Sequence, residues 1–217
     1  MDARKDFERF SGKMNNPDAV LTPGYLRLEV ANLAATSQVE FTMAENAGAQ
    51  TVTEKRLQLN DAFVMTHIGL FISTRLTAEA VSSQVLHSFP NGQVFTTAAS
   101  LNAVRGWFNS GFGIRVNSTV LVDGVDVLSC LRADYAQAGQ AISSVATTGV
   151  QSASFWGQDS AFKSFTPNLV FNGSGNNIIS VQLPESVTFT LANTTVSAVC
   201  ICRGWLAQNG GILRASR

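Results

Sequence analysis

Histidine and carboxylate side chains, which carry most acid–base and metal chemistry in proteins, are few and scattered in this chain. Only two histidines, His67 and His87, occur among 217 residues, and no close pair of carboxylates stands in an apolar setting. The sequence contains no G-x-S-x-G, H-E-x-x-H, P-loop or dinucleotide-binding glycine motif. His67 lies inside an apolar stretch, which favours a hydrogen-bonded core residue over a metal ligand. We therefore predict no enzyme, with no catalytic residues, no cofactor and no metal site.

Thiol chemistry is the next possibility, because the chain has three cysteines, Cys130, Cys200 and Cys202. Three cysteines do not form a disulfide framework, and the last two make a C-x-C pair rather than a metal-binding C-x-x-C. On a strand, positions 200 and 202 project to the same face. This pattern favours small buried hydrophobic residues over metal or redox use.

Glycine-rich stretches and tryptophans are the remaining residues that could bind a ligand. The stretches GSGNN at 173–177 and GFG at 111–113 lie between predicted strands, so turns are favoured over phosphate cradles. The three tryptophans, Trp107, Trp156 and Trp205, could line a carbohydrate platform. Packing is the favoured interpretation, and Trp205 at the end of the last strand is expected in the core.

The composition excludes some partners. Lysine plus arginine equals aspartate plus glutamate at 15 each, so the net charge is zero and no broad basic field is present for nucleic acid. Charged residues make up 14% and hydrophobic residues 45% of the chain. Much of the surface must be neutral, which is typical of surfaces covered in assemblies.

The charged beginning of the chain develops no apolar signal segment, so we expect a protein made in a cytoplasm.

Alternating apolar and polar residues predict an all-β protein from Tyr25 onward. The stretches YLRLEVANL and QVEFTM alternate strictly, as half-buried antiparallel strands do. Glycine, asparagine, aspartate and proline separate the runs at the spacing of a sandwich or barrel. We predict core strands at 61–74, 111–128, 177–191 and 196–207, and we assign the stretch QVFTTA at 93–98 to a strand as well.

The stretch DAFVMTHIGLFISTR, residues 61 to 75, is apolar on both faces of its predicted strand. It is shorter than the roughly 20 residues that a membrane-spanning helix needs. Val64, Ile68, Leu70 and Ile72 suit the core of a sheet, whereas Phe63, Met65 and Phe71 have the character of an interface. We therefore predict that Phe63, Met65 and Phe71 face outward and are buried by an insertion or by a neighbouring subunit.

Two segments of the sequence do not follow the alternating pattern of the strands. Residues 1–22 are predicted to form an N-terminal arm with a short amphipathic helix, in which Phe7, Phe10 and Met14 share a narrow apolar stripe. The stripe could dock on its own domain, on a neighbouring subunit or on a membrane face. Within the β-domain at 23–217, residues 132–166 form a long insertion rich in Ala, Ser, Gln and Gly, with one short helix near 133–146.

Two stretches carry a resemblance to a known family. TEKRLQLNDAFVMTHIGLFI and NIISVQLPESVTFTLANTTVSAVCICRGWLAQ, the second ending its hydrophobic strand in Arg-Gly-Trp, resemble the jelly-roll major capsid proteins of tailless icosahedral bacteriophages, which often contain a membrane. The resemblance implies an antiparallel jelly-roll-type sandwich, here one roll with a large insertion. It also implies a shell-forming homo-oligomer with an N-terminal segment beneath the shell, and it assigns no site residues.

We accordingly expect a structural virion protein, a self-assembling capsid subunit that forms an icosahedral shell after synthesis in the host cytoplasm. Its expected partners are copies of itself, with other capsid proteins and an internal membrane left open, and no strong nucleic-acid binding. Phe7, Phe10, Met14, Phe63, Met65 and Phe71 are the candidate subunit-interface residues. The alternative is a β-rich adhesin or a tail- or spike-associated binding module.

Overall fold

Two antiparallel β-sheets packed face to face make up most of the computed structural model, which describes residues 19–31, 33–45, 48, 50–132 and 161–210. Of these residues, 57% are in strands and 11% in helices, which confirms the predicted all-β class. The strands of the described part are β1 (Val20–Ala31), β2 (Thr36–Thr42), β3 (Ala62–Leu76), β4 (Val85–His87), β5 (Gly111–Val116), β6 (Thr119–Asp126), β7 (Lys163–Asn172), β8 (Asn177–Val187) and β9 (Thr194–Gln208). One helix, α1 (Ala98–Phe108), and short 3₁₀ turns at Val81–Ser83 and Val127–Cys130 accompany them.

The strands pair in a nested order. The first sheet runs β1-β9-β3, and both β4 and β7 pair with β3 along its other edge. The second sheet runs β2-β8-β5-β6. Early strands thus pair with late ones, β1 with β9, β2 with β8 and β3 with β7, while β5 and β6 form the innermost hairpin. The nested pairs bring the two ends of the β-domain side by side.

The core lies between the two sheets, and strand alternation decides which residues enter it. In β1, Leu26 and Leu28 are buried whereas Tyr25 is half exposed, and in β2, Val39 and Phe41 are buried. The predicted alternation in these strands is therefore confirmed. Removal of such apolar side chains from water is the main stabilising contribution to a sandwich of this kind.

One predicted strand is in fact a hairpin. Residues 111–126 form β5 and β6, joined by a two-residue turn at Asn117 and Ser118, and the last two residues of the predicted strand begin the 3₁₀ turn. Asn117 has a φ of 53°, a left-handed conformation that asparagine tolerates better than most residues. The strands predicted at 61–74 and 196–207 are confirmed as β3 and β9, and the strand predicted at 177–191 is confirmed as β8 except that it ends at Val187.

Helix α1 was not predicted, and the sequence QVFTTA at 93–98 was wrongly assigned to a strand. Thr97 caps the helix, because its side-chain oxygen accepts a hydrogen bond from the backbone N–H of Ser100 at 3.1 Å. The side chains that α1 buries recur at helical spacing, and they include Leu101, Val104 and Phe108. This spacing was the signal that the strand interpretation missed.

The N-terminal helix and the short helix expected near 133–146 fall outside the described residues. The described chain enters β1 at Val20, ahead of the predicted domain boundary at 22/23. At the other end of the predicted insertion, residues 163–166 already belong to β7. The segment 132–166 therefore connects β6, through the 3₁₀ turn, to β7.

Candidate interaction surfaces

An extra residue in β3 changes which side chains face the core. Met65 lies opposite Gly204 of β9 and His67 lies opposite Arg203, so Thr66 is left over as a bulge. The Thr66 hydroxyl donates a hydrogen bond of 3.1 Å to the carbonyl oxygen of Arg203. Gly204 has no side chain at the one place where the backbone of β3 approaches closely, since a Cβ there would lie 1.8 Å from the carbonyl oxygen of Val64.

The bulge overturns part of the predicted interface. Phe63 and Met65 are fully buried in the central cluster between the sheets. The prediction that they face outward was wrong, because it assumed an unbroken alternation through Thr66. Beyond the bulge the core-facing residues are Ile68, Leu70 and Ile72, as predicted.

Phe71 lies on the outer face of β3, as predicted, and the chain itself covers it. The rings of Phe71 and Phe162 meet edge to face at 5.7 Å between centroids. Phe162 also lies over Gly69, where an added Cβ would come within 2.9 Å of its ring. Phe162 belongs to the segment 132–166, so an insertion residue covers Phe71. The other interface candidates, Phe7, Phe10 and Met14, fall outside the described residues.

A groove of about 1010 Å³ crosses the outer face of the first sheet. Its lining combines aromatic, aliphatic, hydroxyl and basic side chains from β1, β3, β9 and the segment before β3. The lining includes Tyr25, Arg27, Thr53, Thr66, His67, Arg203 and Trp205. Two predictions are corrected here. His67 is exposed rather than buried, and Trp205 lines the groove rather than the core.

Three polar side chains stand side by side in this groove. Arg203 of β9 is paired directly with Tyr25 of β1 on one side and with His67 of β3 on the other. Side chains at directly paired positions have Cβ atoms about 5 Å apart. Lys55 adds a cation at the rim, with its Nζ 4.7 Å from the centre of the Tyr25 ring. The sequence positions 25, 67 and 203 gave no sign of this row, which depends on the register of three strands.

A polar network borders the groove. The Arg27 Nε donates to a carboxylate oxygen of Glu29 at 2.7 Å, and its guanidinium also donates to the side-chain oxygen of Gln84. The Gln84 amide donates in turn to the hydroxyl of Ser73 at 2.7 Å, and Glu54 accepts from the backbone N–H of Glu29. These bonds attach the segments before β3 and before β4 to the outer face of the first sheet. The charge of Arg27 is offset there by Glu29.

The outer edge of the second sheet carries exposed apolar residues. Strand β6 pairs only with β5 in the described part of the chain, and most of its residues are exposed. Val120 is 60% exposed and Leu121 is 43% exposed. Leu128, in the 3₁₀ turn that follows, is 45% exposed. An apolar edge strand of this kind is a surface at which another chain can dock.

The cysteines have the buried positions that the sequence predicted. The sulfur atoms of Cys200 and Cys202 lie 3.8 Å apart on the inner face of β9, and Cys130 is buried as well. Burial raises the pKa of the Cys130 thiol and raises that of Cys200 well above its ordinary value of 9.0, with the neighbouring Cys202 adding to the shift of Cys200. Protonated, buried thiols are poor nucleophiles and poor metal ligands.

Within the described ranges, no group of three or more His, Cys, Asp or Glu side chains is arranged to hold a metal ion. The same residues contain no helix long and apolar enough to cross a membrane. No protein family, no curated protein and no solved structure matches this chain.

His87 is a buried titratable group at the end of the core. Its Nε2 lies 2.7 Å from the Thr74 hydroxyl, and its ring meets the Phe95 ring edge to face at 5.4 Å. Burial lowers the pKa of His87 from its ordinary value of 6.5, because the charged imidazolium loses solvation there. The folded protein therefore keeps His87 neutral at a pH where the unfolded chain protonates it.

This difference predicts a loss of stability in mild acid. Above pH 6.5 the contribution of His87 is fully present, and as the pH falls below 6.5 toward the lower folded pKa the unfolded state binds the extra proton. We expect the free energy of unfolding to fall by at most about 1.4 kcal/mol per pH unit in this window. Urea unfolding at about pH 7.5 and about pH 5 measures the loss. His87→Gln should reduce this loss; equal losses in wild type and His87→Gln contradict the assignment.

Proposed function

We propose that this protein is a jelly-roll subunit of an icosahedral virion shell. The observation that carries the proposal is the nested strand order, β1-β9-β3-β7 in one sheet and β2-β8-β5-β6 in the other. A long antiparallel ribbon wrapped into two four-stranded sheets has this order, and it is the arrangement of jelly rolls. In this scheme β4 and α1 belong to the connection between β3 and β5, and the segment 132–166 extends the connection between β6 and β7.

The interior supports a structural role over a ligand-holding one. Jelly rolls also occur in lectins and in cupins, and fold alone does not choose between these functions. Here the space between the sheets is occupied by large apolar side chains, with Trp107 fully buried and edge to face with Phe41 at 6.4 Å. Such packing favours a rigid scaffold whose function lies on its surface.

The proposed partner is another copy of the chain, and β6 is the proposed contact. Its apolar residues Val120 and Leu121 are exposed, and charged residues make up only 14% of the chain. Phe63 and Met65 take no part, since the core buries them. The N-terminal segment with Phe7, Phe10 and Met14 is proposed to lie beneath the shell, where neighbouring subunits, other capsid proteins or an internal membrane could contact it.

Assembly of the purified protein tests this proposal. We expect wild-type protein to form closed particles in negative-stain images and in sedimentation velocity. Leu121→Lys should lower the particle yield roughly tenfold or more, because an unpaired charge in an apolar contact costs several kcal/mol. Its melting temperature should stay unchanged, since Leu121 is exposed in the monomer. Ser37→Lys, at the exposed edge strand β2 of the same sheet, is the matched control and should assemble normally.

The outcomes separate the parts of the proposal. Wild-type protein that remains monomeric at high concentration and at several ionic strengths contradicts the shell function. Normal particles from Leu121→Lys contradict only the β6 contact. The alternative of an adhesin or a tail- or spike-associated module is favoured by one observation, the groove around Arg203, and predicts ligand binding by a small oligomer without closed particles.

A further inference from the structure

The groove on the first sheet has a charge that its own residues do not neutralise. Among the described residues that line it, Arg27 and Arg203 are cationic, and none is an aspartate or glutamate. Arg27 is paired with Glu29, whereas no carboxylate in the described part of the chain lies within ion-pair distance of Arg203. Arg203 is also exposed. Its guanidinium is therefore accessible to an anion from solution.

The Arg203 side chain is held in place. The guanidinium carbon lies 3.7 Å from the centre of the Phe162 ring, and Phe162 is itself packed against Phe71. Stacking on a ring fixes the plane of the guanidinium and leaves the N–H groups at its edge available. A planar fork with fixed orientation suits a carboxylate or a sulfate, which it can bind through two parallel hydrogen bonds.

The neighbours of Arg203 add donors and flat surfaces. Tyr25, half exposed, and His67 lie beside it at directly paired positions and present a phenol and an imidazole to the same space. Trp205 lies two residues along β9 on the same face and lines the groove. The hydroxyl group of Thr53 lines it as well. The lining thus offers aromatic surfaces and several hydrogen-bonding groups around one cationic centre.

The volume of the groove limits the kinds of ligand that it can bind. About 1010 Å³ is at the upper end of small-molecule sites and far exceeds one inorganic anion. Long nucleic acid is disfavoured, because the chain has no net positive charge. A chain of sugar rings with an acidic group matches the lining, since its hydroxyls match the polar donors and its C–H faces match the aromatic side chains.

We propose that this groove binds an acidic oligosaccharide, with Arg203 holding the carboxylate or sulfate between Tyr25 and His67. Trp205 and Tyr25 supply the apolar surface for the sugar rings. The inference rests on the outer face of one subunit and does not depend on shell formation, so either proposal can fail without the other. A surface lectin activity of this kind would direct the protein, or a particle built from it, to acidic glycans on a cell.

A glycan array tests the inference with the purified protein. The array carries sialylated, uronic-acid-containing and sulfated oligosaccharides beside their neutral counterparts. We expect binding to acidic members and about 10- to 100-fold weaker binding by Arg203→Met, the loss expected for a charge-assisted hydrogen-bonded pair. Arg203→Lys, which keeps the charge without the planar fork, should bind with intermediate affinity. Arg115→Met is the matched control, because it removes an exposed arginine from β5 of the other sheet and should bind as wild type does.

Thermal melting first shows whether Arg203→Met is folded. If it is not folded, the comparison of Arg203→Lys with wild type tests the inference instead. The inference is overturned if no acidic glycan binds, if neutral counterparts bind equally well, or if Arg203→Met binds as wild type does. A second arm uses vesicles that contain phosphatidylglycerol. Arg203-dependent binding to these vesicles without glycan binding would identify the groove as a lipid site and overturn the inference.

Discussion

Replacing Gly204 with alanine should destabilise the domain by about 3 kcal/mol or more, at or above the upper end for overpacking in a core. The added Cβ would lie 1.8 Å from the carbonyl oxygen of Val64 and 3.2 Å from the Cα of Met65. Both are backbone atoms of β3, so no side-chain rotation can relieve the contact. The bulge at Thr66 would have to move, and with it the register of β3 against β9. Urea unfolding followed by circular dichroism measures the effect.

Gly106 provides the matched control for this substitution. It lies inside α1, and an added Cβ would meet only a side-chain carbon of Val187 at 3.7 Å, an ordinary contact distance. Gly106→Ala should therefore stabilise the protein by about 0.5–1 kcal/mol through the better helix propensity of alanine. Equal stabilities for wild type and Gly204→Ala would contradict the close approach of β3 and β9 described above.

Phe63→Ala should cost about 3–5 kcal/mol of unfolding free energy, because it opens a large cavity between the sheets. Phe63 is fully buried within the central cluster. Thermal and urea unfolding of the purified variant measure this loss.

Phe71→Ala is the comparison on the opposite face of the same strand. Phe71 lies outside the central cluster and is covered by Phe162, so we expect a smaller loss that includes about 0.5–1.5 kcal/mol for the ring pair. A larger loss for Phe71→Ala than for Phe63→Ala would indicate that Phe63 lies on the outer face, and it would contradict the bulge at Thr66.

The strands could be predicted from the sequence where one face meets water. In β1 and β2 the polar residues stand between buried ones, so alternation alone identifies both the strand and its inner face. β3 offered no such contrast, because its two faces are both apolar. The bulge at Thr66 depends on a contact with Gly204 far along the chain, so the residues next to Thr66 in the sequence do not predict it.

The groove could not be predicted from the sequence, for a related physical reason. Tyr25, His67 and Arg203 become neighbours only through the registers of β1 and β3 with β9. The buried environment assigned to His67 followed from its apolar neighbours in the chain, whereas its exposure follows from its position next to the bulge. A residue's sequence neighbours determined its predicted environment, and its neighbours across the sheet determine the real one.

The nested pairing of the strands also constrains how the protein is made. β1 leaves the ribosome long before its partner β9, because the whole of the chain between Ala31 and Thr194 separates the two strands. Until β9 is synthesised, the apolar faces of β1 and β3 have no neighbouring strand between them. Folding that requires pairing between such distant strands is slow, and aggregation-prone apolar segments stay exposed until the pairing forms. We therefore expect incomplete chains that lack β9 to associate with one another through the apolar faces of β1 and β3.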